Sequence, residues 1–337
     1  MGKTKSRCFR HPYQCGRRQT QYLHQKKVWK PTVREIKKAY SSVSLQTICR
    51  LLGYTPQAYH KHMSKTMRLH LQEGLVLQQI QQIRKHQPRC GGRKLFIELL
   101  PFFDQHNIKM GRDAFFDLLR RNKLLVRKLK RNVYTTMSKH HFRRYPNLAK
   151  DFTPLKAHEL WVADITYIPT KHRHAYLFLI TDAYSRKIVG FHLSDDMKVS
   201  SGIMALKKAL AQKPPDAIVI HHSDRGIQYC STEYTNLLQQ HNCQISMTQN
   251  SDPYENAIAE RVNGILKTEL ISNYYKEPLE ASRHIARCIT IYNYRRRHSS
   301  LNWQVPEDVH KQYGLQKKTW KNYYYKRTKT TVTNEAS

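Results

Sequence analysis

Residues 160–170 read LWVADITYIPT, residues 175–185 read AYLFLITDAYS, and residues 187–194 read KIVGFHLS. Each run is rich in β-branched and aromatic residues, and short polar turns at 172–174 and Arg186 separate them. That combination predicts three consecutive strands. Downstream, a helix over 201–212 places Ile203, Leu206 and Leu210 on one side, and residues 216–224, DAIVIHHSD, give a fourth strand. A helix over 232–241 and a short strand in QISMTQ, residues 244–249, follow. The order β-β-β-α-β-α-β-α predicts an α/β layer structure, a mixed five-stranded sheet with helices on both faces. Residues 217–220 form an unbroken apolar run, as a central parallel strand does. A further helix over 279–294 ends in RRRH, residues 295–298.

Between the last strand and that helix lies QNSDPYENAIAERVNGILKTEL, residues 249–270. Asn250, Ser251, Asp252 and Pro253 form a turn cluster, and Asn256 is placed to N-cap a helix starting at Ala257. On that helix Glu260, Asn263 and Lys267 share one face, while Ile258, Val262, Ile265 and Leu266 turn inward. A polar stripe of this kind can hold a metal ion and touch a phosphate, or be a solvated ion-pair face. Two further acids stand out by position. Asp164 lies inside the first strand, flanked by Trp161, Val162, Ile165 and Tyr167. Asp224 ends the fourth strand just before Arg225 and Gly226, where α/β proteins place their ligands. A carboxylate inside a β-run requires a buried arginine or a bound cation, and the residues alone leave both open. His221 and His222 precede Asp224 but face opposite sides of a strand, so they cannot chelate one ion; His222 is expected to brace the loop by a hydrogen bond.

The chain has 59 Lys and Arg against 24 Asp and Glu, a formal charge of +35. Residues 1–150 hold 34 basic and 6 acidic residues, and residues 151–337 hold 25 and 18. So basic a front half calls for a polyanion, with nucleic acid first. No basic amphipathic helix stands out and no apolar run nears the roughly 18 residues of a membrane span, so no membrane partner is expected. The N-terminus lacks the apolar segment of a signal peptide, and seven scattered cysteines fit a reducing cytoplasm. Cys8, His11, Cys15 and His24 match no standard zinc-finger spacing.

Within the front half, residues 1–30 form a basic segment expected to lack fixed order. Residues 31–66 read as a helix-turn-helix: two short helices, a stop at Gly53, then a helix capped by Thr55 with Pro56 at its first position. Lys61 and Lys65 would give its last helix a phosphate-facing side. Residues 74–133 read as a second helical unit, winged-helix-like because LLVRKLKRNV (124–133) alternates basic and apolar residues as a half-exposed strand does. Residues 134–156 read as a basic linker and residues 313–337 as a basic, aromatic tail suited to nucleic-acid binding.

WVADITYI around Asp164, HHSDRGIQY around Asp224 and NSDPYENAIAERVNGILKTEL around Glu260 together resemble the insertion-sequence-three family of bacterial transposases. The likeness is to its OrfB product, whose core is similar to retroviral integrase. YNYRRRHSSLNWQVPEDV, residues 292–309, resembles the family's closing motif; GYTPQAYHKHM and RCGGRKLFIELL resemble its helix-turn-helix modules more loosely. The resemblance implies a ribonuclease-H-like core over residues 157–312, in which Asp164, Asp224 and Glu260 form a DDE triad. That triad would bind two Mg²⁺ ions, with Mn²⁺ able to substitute, and support DNA strand cleavage and 3′-OH strand transfer. Lys267 would contact terminal DNA near the scissile phosphate, and Asn256 would lie close to the metals.

The expected DNA contacts also include Arg112, Arg120, Arg121, Arg127, Lys128 and Lys130 in the front half and Arg225, Arg295, Arg296 and Arg297 in the core. The implied partners are the inverted-repeat ends, a target duplex, further copies of the chain and an OrfA-type partner or fusion, all in the bacterial cytoplasm at the nucleoid. No sustained heptad repeat appears, so the OrfA portion is not expected within this chain. Two rivals remain at this stage: a nuclease without strand transfer, and a DNA-binding regulator with an idle core.

Overall fold

The computed structural model describes residues 29–126, 143–171, 174–249, 256–272 and 274–316. The chain divides into two compact units, residues 1–78 and 79–337. In the first, helix α1 (29–39), helix α2 (Leu45–Leu51) and the start of helix α3 (Pro56–His86) enclose a small core of Trp29, Val33, Ile48 and Cys49. The Trp29 ring stacks on Tyr54 with centroids 3.8 Å apart. Ser44 caps α2 by accepting the Thr47 N–H at 3.1 Å, and Gly53 follows it with a φ of +76°, a conformation glycine adopts without strain. Thr55 Oγ1 then accepts the Ala58 N–H at 3.2 Å, with Pro56 opening α3. The helix, glycine turn and capped helix read from the sequence are therefore present.

No break in the helix falls between residues 66 and 74, and the two units divide further along, at 78/79, within α3. Helix α3 continues unbroken for 31 residues. The intervening RLHLQEG contains no proline, and a single glycine costs a helix only about 1 kcal/mol, too little to break it. In the second unit, helices α4 (Gly92–Gln105) and α5 (Arg112–Arg121) pack through Leu95, Leu99, Phe103, Phe115, Leu118 and Leu119. Residues 124–126 form no strand; the remainder of the expected wing, with Arg127, Lys128 and Lys130, lies outside the described residues, as does the Cys8–His24 cluster. The expected linker is seated rather than loose over residues 143–149. Tyr145 packs against the sheet core, the Met247 N–H donates to the Pro146 carbonyl at 3.2 Å, and the Leu148 N–H donates to Ser246 Oγ at 2.8 Å.

The sheet comprises β1 (Leu160–Pro169), β2 (His174–Asp182), β3 (Ile188–Ser194), β4 (Val219–Ser223) and β5 (Cys243–Met247), in the order β3-β2-β1-β4-β5. The first three strands form an antiparallel meander, and β4 and β5 add parallel to β1. Helices α6 (Val199–Leu210), α7 (Ile227–Cys230) and α8 (Thr232–Gln240) connect the later strands. Helix α9 (Ala257–Ile265), a π-helical turn (Leu266–Leu270), α10 (Pro278–Tyr294) and α11 (Pro306–His310) complete the unit.

Both faces of the sheet are covered, as the continuous apolar run of β2 requires. Leu177 and Leu179 pack in one core with residues of α9 and α10. Phe178 and Ile180 pack in another with Ala205 and Leu206 of α6 and Tyr234 and Leu238 of α8. Helix α6 approaches β3 so closely that a Cβ at Gly190 would overlap the Ala205 carbonyl oxygen and stand 2.9 Å from the Ala209 Cβ. At the same outer strand, Asn293 of α10 donates from Nδ2 to the Ile188 carbonyl and accepts the Ile188 N–H at Oδ1, both at 2.9 Å. The Gly314 N–H donates to the Leu155 carbonyl at 2.8 Å, so the folded core reaches just beyond the expected limits of 157 and 312. No described helix is long and apolar enough to cross a membrane.

Candidate active site

The parallel ladder between β1 and β4 sets Val162 opposite His222. Two residues further along each strand come Asp164 and Asp224. Equal steps keep the same face, so Asp164, inside β1, and Asp224, just past the end of β4, come level with one another. Asp224 opens a tight loop in which the Gly226 N–H donates to its Oδ1 at 3.0 Å and Arg225 Nε donates to the Thr248 carbonyl at 2.5 Å. Asp164 stands opposite Leu179 of β2, on the side of the sheet that α9 covers.

Helix α9 is bonded to β1 at this acid. Asn263 Nδ2 donates to Asp164 Oδ2 at 2.6 Å, and the Ile165 N–H donates to Asp164 Oδ1 at 2.9 Å. Glu260 precedes Asn263 by three residues and so lies on the same side of the helix. The Asp164 carboxyl is pushed up to about 7, first by burial and then by the charge on Asp224, with Glu260 adding to the rise; the bonds from Asn263 and Ile165 pull the other way. All three acids thus act on one neighbourhood. Burial pulls the Lys267 ammonium down, while the charge on Asp164 holds it up. Among the described residues, however, no group of three or more His, Cys, Asp or Glu is placed to hold a metal ion. The charges of Asp224 and Glu260 both reach Asp164, but the three carboxylates do not form a single shell.

Asn256 stands at the N-cap position of α9, but its side chain makes no cap bond. Nδ2 instead donates to the Ala163 carbonyl at 3.0 Å, pinning the backbone one residue before Asp164. The expected cap is corrected to a strap across the strand, and Asn256 Oδ1 is buried without a hydrogen-bond partner. The two adjacent histidines separate as strand geometry demands. His222 Nδ1 lies 2.8 Å from Ser246 Oγ, and His221 Nε2 lies 3.1 Å from the Tyr234 hydroxyl. Burial holds the His221 imidazole down at about 3, hence neutral.

Of the basic residues, Lys61 and Lys65 are exposed on α3. Arg112, Arg120 and Arg121 are exposed on α5, where Arg112 pairs with Asp113 and Arg120 with Asp117. Arg295 is exposed. Arg296 is not: it is 4% exposed, and its Nε and Nη2 donate to Glu269 at 2.8 and 2.9 Å. A guanidinium enclosed on a carboxylate cannot also face a phosphate, so Arg296 leaves the expected DNA-contact set. Arg297 Nε donates to Glu98 at 2.8 Å. Asn263, placed on the polar stripe, proves to be the partner of Asp164, and Glu269, the partner of Arg296 outside the site, had no role assigned from the sequence. The three-residue offset from Glu260 was a signal for Asn263; nothing local marked Glu269.

An integrase core domain family model matches residues 154–253, and a second integrase core domain model matches residues 241–306. The insertion element IS600 31 kDa protein of Shigella sonnei is 32% identical over 272 residues, covering 79% of this chain and 98% of that protein. The transposase for insertion sequence element IS904 of Lactococcus lactis is 37% identical over 169 residues, 49% of this chain and 67% of that one. Transposase InsF for insertion sequence IS3A of Escherichia coli K12 is 35% identical over 167 residues, 48% of this chain and 56% of that one.

Proposed function

The chain belongs to the insertion-sequence-three family of bacterial transposases, with an integrase-like core, and from that premise we propose that Asp164, Asp224 and Glu260 carry out DNA strand cleavage and strand transfer at the element's inverted-repeat ends. The observation that carries the assignment is the register of β1 and β4 together with the Asn263–Asp164 bond, which supports a meeting of all three acids beside the end of β4. Their donor set is entirely carboxylate oxygen, the kind that suits Mg²⁺ and Mn²⁺ over softer metals. The raised Asp164 carboxyl also fits a cation site, because divalent charge there would relieve the repulsion that disfavours full ionisation. Two bound Mg²⁺ ions would supply charge neutralisation and polarisation at the phosphodiester.

The chain's own residues set the geometry. Asn263 and the Ile165 N–H fix both oxygens of Asp164, and Asn256 fixes the peptide before it. Lys267 presents its ammonium to the terminal phosphate, and Arg225 holds the loop after Asp224 against Thr248. In cleavage, a water oxygen bonds to the scissile phosphorus as the bond to the 3′ oxygen breaks, and that oxygen takes up a proton. In transfer, the freed 3′-OH loses its proton and bonds to a target phosphorus, releasing a 3′-OH from the target strand. Lys61 and Lys65, with the exposed arginines of α5, contact phosphates of the ends. Several copies act together on paired ends, with an OrfA-type partner or fusion.

The test is a strand-transfer assay with labelled inverted-repeat ends and Mg²⁺, comparing wild type with Asp164→Asn, Asp224→Asn and Glu260→Gln. Joined products from wild type alone, with end binding kept in all four, support the reading. Nicks without joining indicate a nuclease, and binding without either indicates a regulator. Cleavage retained by Asp224→Asn would refute the site assignment.

A further inference from the structure

The π-helical turn Leu266–Leu270 that continues α9 is closed by the Ile271 N–H donating to the Leu266 carbonyl at 2.8 Å. Such turns carry one extra residue and are frequent at functional positions. This one is held from outside. Arg89, in the loop before α4, donates from Nη2 to the Lys267 carbonyl at 3.2 Å and to the Ile271 carbonyl. The Glu269 carboxylate receives Lys94 Nζ from α4 and both Nε and Nη2 of Arg296 from the end of α10. The Arg297–Glu98 pair repeats the link between the same two elements. The Glu269 side chain is 20% exposed, and that of Arg296 5%. Ion pairs this enclosed add little net stability, because their desolvation offsets much of their attraction; what they do hold is geometry. Lys267 sits two residues before Glu269 on the same turn, within the field of Asp164.

We propose that Glu269 is a positioning residue for strand transfer: clamped between α4 and the end of α10, it fixes the π turn and thereby aims Lys267 at DNA lying beside Asp164. Without the clamp, the turn and the Lys267 side chain it carries lose their fixed placement beside Asp164. Glu269 itself touches neither the acids nor the DNA. The inference rests on the strand-transfer reading above.

The experiment is single-turnover joining of pre-cleaved end DNA by the full chain, comparing wild type, Glu269→Gln, Lys267→Ala and the double variant, with Lys94→Gln in a parallel cycle. A positioning role lowers the Glu269→Gln rate by about tenfold to a hundredfold, the scale of a misplaced reacting group, with end-DNA affinity held within about twofold. It also predicts non-additivity: in the Lys267→Ala background the Glu269→Gln change costs less than about twofold more. Lys94→Gln, which leaves the Arg296 pair intact, shows a smaller loss absorbed in the same way, and this cycle decides if Glu269→Gln fails to fold. Wild-type rates in both variants, or losses that multiply with that of Lys267→Ala as a purely structural clamp would give, overturn the inference. A wild-type protein that joins no ends overturns the strand-transfer reading itself.

Discussion

Asn263 Nδ2 donates to Asp164 Oδ2 at 2.6 Å, so the helix carrying Glu260 is hydrogen-bonded to the strand carrying the first acid. Removing a bond to a charged acceptor costs about 1.5–3 kcal/mol. Asn263→Ala is therefore expected to slow strand transfer by about 10- to 100-fold while end-DNA affinity stays nearly unchanged. Asn263→Asp should be worse, since it replaces a donor with a like charge. Single-turnover rates beside binding isotherms check both statements.

Asp164 titrates near 7 in the folded chain against an ordinary value of 3.8. Between those two pH values the native state holds a proton that the unfolded chain has released, so stability falls as pH rises through that window. Asp164→Asn removes this dependence. Without divalent metal it should raise the melting midpoint at pH 7.5 by about 2–6 °C, and the gain should vanish near pH 4. Mg²⁺ should raise the midpoint of wild type and raise that of Asp164→Asn less. Calorimetric scans with and without the ion provide the measurement.

Gly190 faces the backbone of α6 at a distance that leaves no room for a methyl group. Gly190→Ala should cost about 1–3 kcal/mol, the usual penalty of overpacking. Urea unfolding should show a lower midpoint with an unchanged slope. An unchanged midpoint would mean that α6 yields more readily than its packing suggests.

Lys61 and Lys65 are exposed on α3 within a front half of strong positive charge. If both meet phosphates, replacing the pair by alanine lowers the slope of log K against log salt by about 2, close to 1 per contact. Affinity should fall alike for end DNA and unrelated duplex. A titration series over several salt concentrations reads this directly.

The sheet was legible because its strands announce themselves by composition, and the level placement of Asp164 with Asp224 follows from the register that sets Val162 opposite His222. What escaped the sequence depended on distant partners. The unbroken α3 carries no signal beyond the absence of a strong breaker, so one helix read as the end of one unit and the start of the next. Asn256 had the right type and place for a cap, yet the Ala163 carbonyl, 93 positions away, claimed its amide. The arginines at 295–297 look alike in sequence and differ only in what stands opposite: solvent for Arg295, Glu269 for Arg296, Glu98 for Arg297. Nothing in LKTEL foretells a π turn, because its cause lies in Arg89 and the groups around Glu269.

Asn293 spends its whole amide on the peptide of Ile188. Outermost strands invite foreign chains to zip on, and proteins commonly deter this with charge or proline. Here a neighbouring helix lends one carboxamide that imitates the missing strand at that rung. An intruding polypeptide would have to evict both of its bonds before it could lengthen the sheet, so the border is guarded by a plug rather than by repulsion.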